Sequence, residues 1–68
     1  DIPLLVNHFI QLICAEQGWK DKRINDDAVQ ALQQHHWPGN IRELRNVVER
    51  LIILSGDVIT AEDVKLYI

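Results

Sequence analysis

The feature that most constrains the fold of this chain is a corner at residues 38–40, where one helix must end and another must begin. Pro38 cannot extend a helix, because its ring clashes with the preceding turn and it has no N–H donor. It also pushes Trp37 towards extended backbone geometry. Gly39 tolerates backbone angles that other residues resist, which allows a sharp reversal. The sequence therefore predicts a helix boundary at this corner.

The residues after the corner are typical of a helix start. Asn40 is a favoured N-cap, and Glu43 three residues later can reach back to complete a capping-box-like pair. With Asn40 as the N-cap, Arg42 falls at the second helical position. A cation there meets the positive end of the helix dipole and costs roughly 0.3–1 kcal/mol relative to a neutral residue.

Two interpretations of Arg42 follow from this position. In the first, the side chain extends to solvent or pairs with Glu43 or a neighbouring helix. In the second, it projects from a rigid corner to meet an anion, which helix N-termini already favour through their N–H groups. The planar donors of a guanidinium group suit phosphate oxygens. Local physics does not separate the two interpretations.

Size and composition limit the possible classes of protein. The chain has 68 residues, 47% of them hydrophobic, which is enough for one small folded domain. No apolar run reaches the roughly 18 residues needed to span a membrane, and the N-terminus does not resemble a signal peptide. The net charge of −3 argues against a stand-alone nucleic-acid module. The single cysteine, Cys14, fits a reducing cytoplasm and a small buried side chain.

The first two predicted helices lie before the corner. Helix one runs from Asp1 or Ile2 to Gln17 and is ended by Gly18. Its apolar face comprises Ile2, Leu5, Val6, Phe9, Leu12 and Ile13. Leu4 and Ile10 lie off that face. Helix two begins after the N-cap Asn25 and reaches His35 or His36; its core side is Ala28 and Leu32, with Val29 and Ala31 as further candidates.

Two more helices are predicted after the corner. Helix three spans Ile41 to Ser55 and is ended by Gly56. Its predicted buried stripe comprises Ile41, Leu44, Val47, Val48, Leu51 and Ile52 or Leu54. Helix four begins after the N-cap Thr60 and ends at Leu66 or Tyr67. The prediction is an all-α domain of four helices with no strand, occupying residues 1–68 as one unit. The chain begins inside a helix start, which favours a piece of a longer protein.

The sequence contains no complete catalytic or metal site. His35 and His36 are adjacent and would point about 100° apart on a helix, and His8 is far from both in sequence. We therefore predict no metal ligands. Ser55 and Thr60 have ordinary helix-end roles, and no phosphate-binding glycine loop is present.

A family resemblance bears on Arg42. The run Trp37–Leu44, followed by residues 46–50, resembles the sensor II segment of bacterial enhancer-binding proteins. These are the AAA+ ATPases that activate sigma-54-dependent transcription, among them response regulators of two-component systems. The opening Asp1–Leu5 and the closing Ile59–Val64 are also similar to that family's helical lid subdomain. The resemblance covers essentially the whole chain.

The resemblance implies a fold and a site. The fold would be the small four-helix AAA+ lid subdomain. Arg42 would be the sensor II arginine that reaches the nucleotide phosphates, with Gly39 and Asn40 at the same nucleotide-facing corner. ATP and Mg²⁺ would be bound mainly by a core subdomain N-terminal to Asp1, where the Walker motifs and arginine fingers of the family lie. The chain alone would then not hydrolyse ATP.

The resemblance also implies partners. The lid would contact its AAA+ core subdomain and the neighbouring protomers of a homo-oligomeric ring. Sigma-54 RNA polymerase and enhancer DNA would be engaged through other domains of the parent protein. The expected location is the cytoplasm, with no membrane association.

Two other functions stay open on the residues alone. One is a helix-turn-helix DNA-binding module formed by helices two and three, with Arg42, Arg45 and Arg50 meeting phosphates. The other is a plain helical protein-interaction domain that docks through an apolar surface. Leu4, Ile10 and Ile53 are the residues expected to form that surface.

Overall fold

The computed structural model describes residues 2–35 and 41–67 of the chain. Its elements in chain order are α1 (Ile2–Gln17), β1 (Arg23–Ile24), α2 (Asp26–Gln34), α3 (Ile41–Leu54), β2 (Val58–Ile59) and α4 (Ala61–Tyr67). The predicted all-α fold class and its four helices are confirmed. Every described helix end lies within one residue of its predicted position.

The prediction that the chain has no strand is wrong in one detail. β1 and β2 form a two-residue parallel pair, with Arg23 opposite Val58 and Ile24 opposite Ile59. The backbone N–H of Asn25 extends the pairing by donating to the carbonyl oxygen of Ile59 at 3.0 Å. Strands of two residues leave no alternating pattern in a sequence, and their partners are distant along the chain. The pair joins the start of α2 to the start of α4.

The end of α1 follows the local chemistry expected of glycine. Gly18 has a φ of +71°, the left-handed geometry that a residue without a Cβ adopts at little cost. The N–H of Trp19 donates to the carbonyl oxygen of Cys14 at 2.9 Å, and the N–H of Gly18 donates to that of Ala15 at 3.4 Å. These two bonds form a Schellman motif, which satisfies carbonyl groups at the helix end.

The start of α4 is closed by a reciprocal cap. The N–H of Asp63 donates to the hydroxyl oxygen of Thr60 at 3.2 Å, and the N–H of Thr60 donates to a carboxylate oxygen of Asp63 at 3.0 Å. This is a capping box with aspartate at its third position, so the predicted Thr60 cap is confirmed. Asn25 also occupies its predicted N-cap position, but its side chain makes no capping bond.

The core draws side chains from all four helices and from β2. Its buried members are Val6, Phe9, Ile10, Ile13, Cys14, Ala28, Leu32, Leu44, Val48, Leu51, Ile52, Ile59 and Val64. Every side chain predicted for the core of α2 is buried or half-buried. Cys14 is fully buried, as predicted. The helices therefore surround one apolar cluster and hold one another in place.

For three side chains, the prediction of burial or exposure was wrong. Ile10 is only 3% exposed although it was placed off the apolar face, whereas Leu12 is 36% and Ile41 59% exposed. α1 packs against both α2 and α3, which shifts its buried arc towards Ile10 and away from Leu12. Ile41 lies on the correct face of α3 but at its first residue. Helical periodicity gives the direction of a side chain and not how far along the helix the core extends.

Candidate functional site at the start of α3

The start of α3 is mounted on the core by the turns that follow it. Leu44, Val48, Leu51 and Ile52 are all buried, one or two in each successive turn. A helix anchored along its length in this way cannot rotate without breaking the core. Its first turn is therefore a fixed platform for any exposed side chain that it carries.

Arg42 is the second residue of α3, as predicted, and it is exposed. Glu43 follows it, is also exposed and supplies the acidic group of the first turn. An exposed guanidinium on this platform can reach an anion held by another domain. The two other predicted nucleotide-facing residues, Gly39 and Asn40, lie outside the described residues, as does Trp37.

One turn further along α3, Arg45 forms an ion pair with α1. Its guanidinium nitrogen lies 2.7 Å from a carboxylate oxygen of Glu16, and both side chains are partly exposed. Such a pair contributes roughly 0–1 kcal/mol to stability, because solvent screens it. Its larger consequence is orientation, since Arg45 is directed towards α1. This lowers the positive charge that α3 could offer to the DNA phosphates of the helix-turn-helix alternative.

At the other end of α3 lies a cap that the sequence analysis missed. The ammonium group of Lys22 donates to the carbonyl oxygens of Ile52 and Ser55 and to the Ser55 hydroxyl. A cation at a helix C-terminus meets the negative end of the dipole and satisfies its last carbonyl groups. Lys22 itself lies in the loop that joins α1 to β1. Local sequence gives no signal here, because donor and acceptors are about thirty residues apart.

Other candidate chemistry is sparse in the part of the chain that the structure describes. No three His, Cys, Asp or Glu side chains in residues 2–35 and 41–67 are grouped as metal ligands. His8 packs beside Phe9, with ring centroids 5.8 Å apart. In the same ranges, no helix is long and apolar enough to cross a membrane.

Comparison with known families settles what kind of domain this is. Residues 1–68 match the AAA+ ATPase lid domain family. This chain belongs to that family. The match covers every residue, so the four helices and Arg42 are all parts of a lid domain.

Relatives of this lid domain are bacterial regulatory proteins. Over 56 residues it is 54% identical to the nitrogen assimilation regulatory protein NtrX of Azorhizobium caulinodans. That alignment covers 82% of this chain and 12% of NtrX. Over 57 residues it is 47% identical to the nitrogen fixation protein AnfA of Azotobacter vinelandii, and that alignment covers 84% of this chain and 11% of AnfA. The lid domain thus spans about one eighth of these relatives' length. The resemblance to lids of sigma-54-dependent activators is confirmed.

Solved structures agree with the fold. The crystal structure of NtrX from Brucella abortus in complex with ADP superposes with a TM-score of 0.80 at 48% identity. That superposition covers 93% of the lid domain and 15% of the NtrX chain. The ATP complex of the same protein superposes with a TM-score of 0.80 at 46% identity. That superposition covers 93% of the lid domain and 16% of the NtrX chain. The packing described above is therefore that of an AAA+ lid.

Proposed function

We propose that this lid domain closes over a nucleotide held by the core subdomain of a sigma-54-dependent AAA+ activator, and that Arg42 contacts the nucleotide phosphates. Membership of the lid family supports this proposal, as do the ADP and ATP complexes of the related NtrX. Gly39 and Asn40 are proposed to form the nucleotide-facing corner beside Arg42.

The observation that carries the proposal is the exposure of Arg42 on a turn that buried residues hold in place. Leu44 is buried only two positions later, and Val48 one turn beyond it. A fixed cation stabilises charge developing on a phosphoryl group without the cost of reorganising at the moment of reaction. Placing Arg42 against the helix dipole lowers lid stability slightly, and an anionic ligand would offset that cost.

The single core also supports a mechanical role. Since all four helices share one buried cluster, the lid domain moves as a block when its contacts with a nucleotide change. Rotation of such a block on hydrolysis would pass to the neighbouring protomers of a ring. We include ring assembly in the proposal on this ground, with residues 1–68 acting as one unit of a longer protein.

The remaining machinery is assigned to other parts of the parent protein. The core subdomain would bind most of the ATP and the Mg²⁺ ion, and the lid domain alone would not turn over ATP. Sigma-54 RNA polymerase and enhancer DNA would be engaged by further domains. The lid's own contribution is then limited to sensing the nucleotide and transmitting its state.

The test is steady-state ATP hydrolysis by the longer protein that carries this lid. Replacing Arg42 by Ala is expected to lower turnover by about 10²- to 10³-fold, the loss typical of one preorganised contact. Arg50→Ala is a matched control, because Arg50 is an exposed arginine near the other end of α3. Undiminished turnover by Arg42→Ala, with fold and oligomer intact by circular dichroism and ultracentrifugation, would overturn the proposed role.

A second function receives partial support from the exposed apolar side chains. Of the three residues predicted to form a docking surface, Leu4 is 72% and Ile53 59% exposed, but Ile10 is buried in the core. The predicted three-residue surface is therefore wrong as stated. Ile53 lines a groove between the loop that follows α1 and the end of α3.

A further inference from the structure

The turn of α3 that carries Arg42 extends beyond the apolar core. Ile41, Arg42 and Glu43 are all exposed, and the first buried residue of the helix is Leu44. Buried side chains further along α3 prevent its rotation, but none of them lies in this first turn. Because helix ends fray, contacts close to the first turn help to decide how precisely Arg42 is placed.

One such contact starts at Arg45, three residues after Arg42. A guanidinium nitrogen of Arg45 donates to a carboxylate oxygen of Glu16 at 2.7 Å. This is a short, charge-assisted hydrogen bond between α3 and the end of α1. Residues three apart are neighbours on the surface of a helix, so the bond lies beside Arg42. Glu16 therefore holds the turn of α3 that directly follows Arg42.

The loop after α1 holds the other end of α3. The Lys22 ammonium donates to the carbonyl oxygen of Ser55 at 3.0 Å. Arg45 and Ser55 are ten residues apart, which corresponds to about 15 Å along the helix axis. Glu16 and Lys22, which hold them, are only six residues apart in the chain. Two directional bonds from one short segment thus fix the position of α3 along its axis, which non-directional apolar contacts fix less sharply.

The position of Glu16 does not favour the stability of its own helix. Glu16 is the last residue but one of α1, where a carboxylate meets the negative end of the helix dipole. The side chains of Arg45 and Glu16 are 40% and 48% exposed, so solvent screens their attraction. The pair therefore contributes little to the free energy of unfolding, and its main effect is on the placement of α3.

We propose that Glu16 is a positioning residue for Arg42 and acts through Arg45. This inference rests on the phosphate contact proposed above for Arg42. By holding the second turn of α3 against α1, Glu16 would keep the Arg42 guanidinium at the distance and angle that the phosphates require. Glu16 would not contact the nucleotide itself, so its effect on turnover should vanish when Arg42 is absent.

The experiment is a double-mutant cycle on steady-state ATP hydrolysis by the longer protein that carries this lid. Glu16→Ala and Arg45→Ala are each expected to lower kcat about two- to fivefold, in line with the loss of an exposed ion pair, with KM nearly unchanged. The two changes together should lower kcat no further than either alone. In the Arg42→Ala protein, Glu16→Ala should have no additional effect. Arg45→Lys keeps the charge and should retain most of the turnover.

Two controls separate positioning from stability. Gln17→Ala alters an exposed residue beside Glu16 and should leave kcat unchanged. Urea unfolding should give nearly the same midpoint for wild type and Glu16→Ala, whereas a large decrease would assign Glu16 a structural role and overturn the proposal.

The cycle also distinguishes failure of this inference from failure of the proposed function. Wild-type kcat for Glu16→Ala, beside a large loss for Arg42→Ala, would overturn the positioning role alone. The same conclusion would follow if Glu16→Ala lowered kcat equally with and without Arg42. Full turnover by Arg42→Ala would remove the proposed phosphate contact, and the positioning role of Glu16 with it.

Discussion

The ammonium group of Lys22 lies 3.0 Å from the carbonyl oxygen of Ser55 and 3.3 Å from its hydroxyl oxygen. A loop residue thirty-three positions earlier in the chain thus caps the end of α3. The same contact holds the loop after α1 against α3, and so forms one side of the groove. The Lys22 side chain therefore contributes both to the stability of α3 and to the shape of the groove.

Replacing Lys22 by Met retains most of the apolar stem and removes the charge and the donors. The free energy of unfolding is expected to fall by about 1–2 kcal/mol, because the last carbonyl groups of α3 lose a charged donor. Urea denaturation followed by circular dichroism measures this change. Lys20→Met is the control, with an expected effect below about 0.5 kcal/mol. Equal effects of the two substitutions would show that the cap does not stabilise the fold.

Replacing Thr60 by Ala removes the hydroxyl oxygen that accepts the Asp63 N–H. An N-cap of this kind contributes about 1 kcal/mol, so the unfolding midpoint in urea should shift to lower concentration. Thr60→Ser keeps the hydroxyl group and should retain most of the stability. A serine variant as unstable as the alanine variant would place the loss in packing of the methyl group and not in the cap.

Gly18 and Gly56 provide a matched pair of substitutions. A Cβ added at either position meets nothing within 4 Å, but only Gly18 has the positive φ of +71°. Gly18→Ala should therefore destabilise the fold by about 1 kcal/mol through backbone strain alone. Gly56→Ala should be neutral or stabilising by up to about 1 kcal/mol, since it restricts the unfolded chain. Thermal unfolding of both variants measures the two effects. Equal shifts of their unfolding midpoints would contradict this prediction.

Duplex DNA should not bind this chain with appreciable affinity. The chain has a net charge of −3, and Arg45 is paired with Glu16. Titration of a fluorescent duplex at several salt concentrations should give no binding slope of the kind that counterion release produces. A clear slope that Arg42→Ala and Arg50→Ala reduce would revive the helix-turn-helix alternative.

Helix boundaries were predictable because local chemistry sets them. The left-handed glycine after α1 and the Thr60–Asp63 box before α4 involve residues no more than five positions apart. The predicted start of α3 at Ile41 agrees with the observed one, which puts Arg42 at the second residue of the helix. The phosphate contact proposed for Arg42 stays a prediction, since it requires a nucleotide and a second subdomain.

Burial was predictable only in part, because amphipathic patterns describe one helix at a time. Leu44 and Val48 were assigned correctly to the core. Ile10 and Leu12 were not, since the buried arc of α1 depends on where α2 and α3 pack against it. The neighbouring helices α2 and α3 widen and rotate that arc, and their positions cannot be read from the sixteen residues of α1.

By itself, the amino-acid sequence determined the four helices, the caps at Gly18 and Thr60, and the family to which the lid domain belongs, because these depend on contacts between near neighbours and on a contiguous motif. Tertiary structure alone decided the Lys22 cap on α3, the pairing of β1 with β2, and the groove beside Trp19. Each of these joins segments about thirty or more residues apart. Such contacts depend on how the helices pack around the shared core, so no local pattern encodes them.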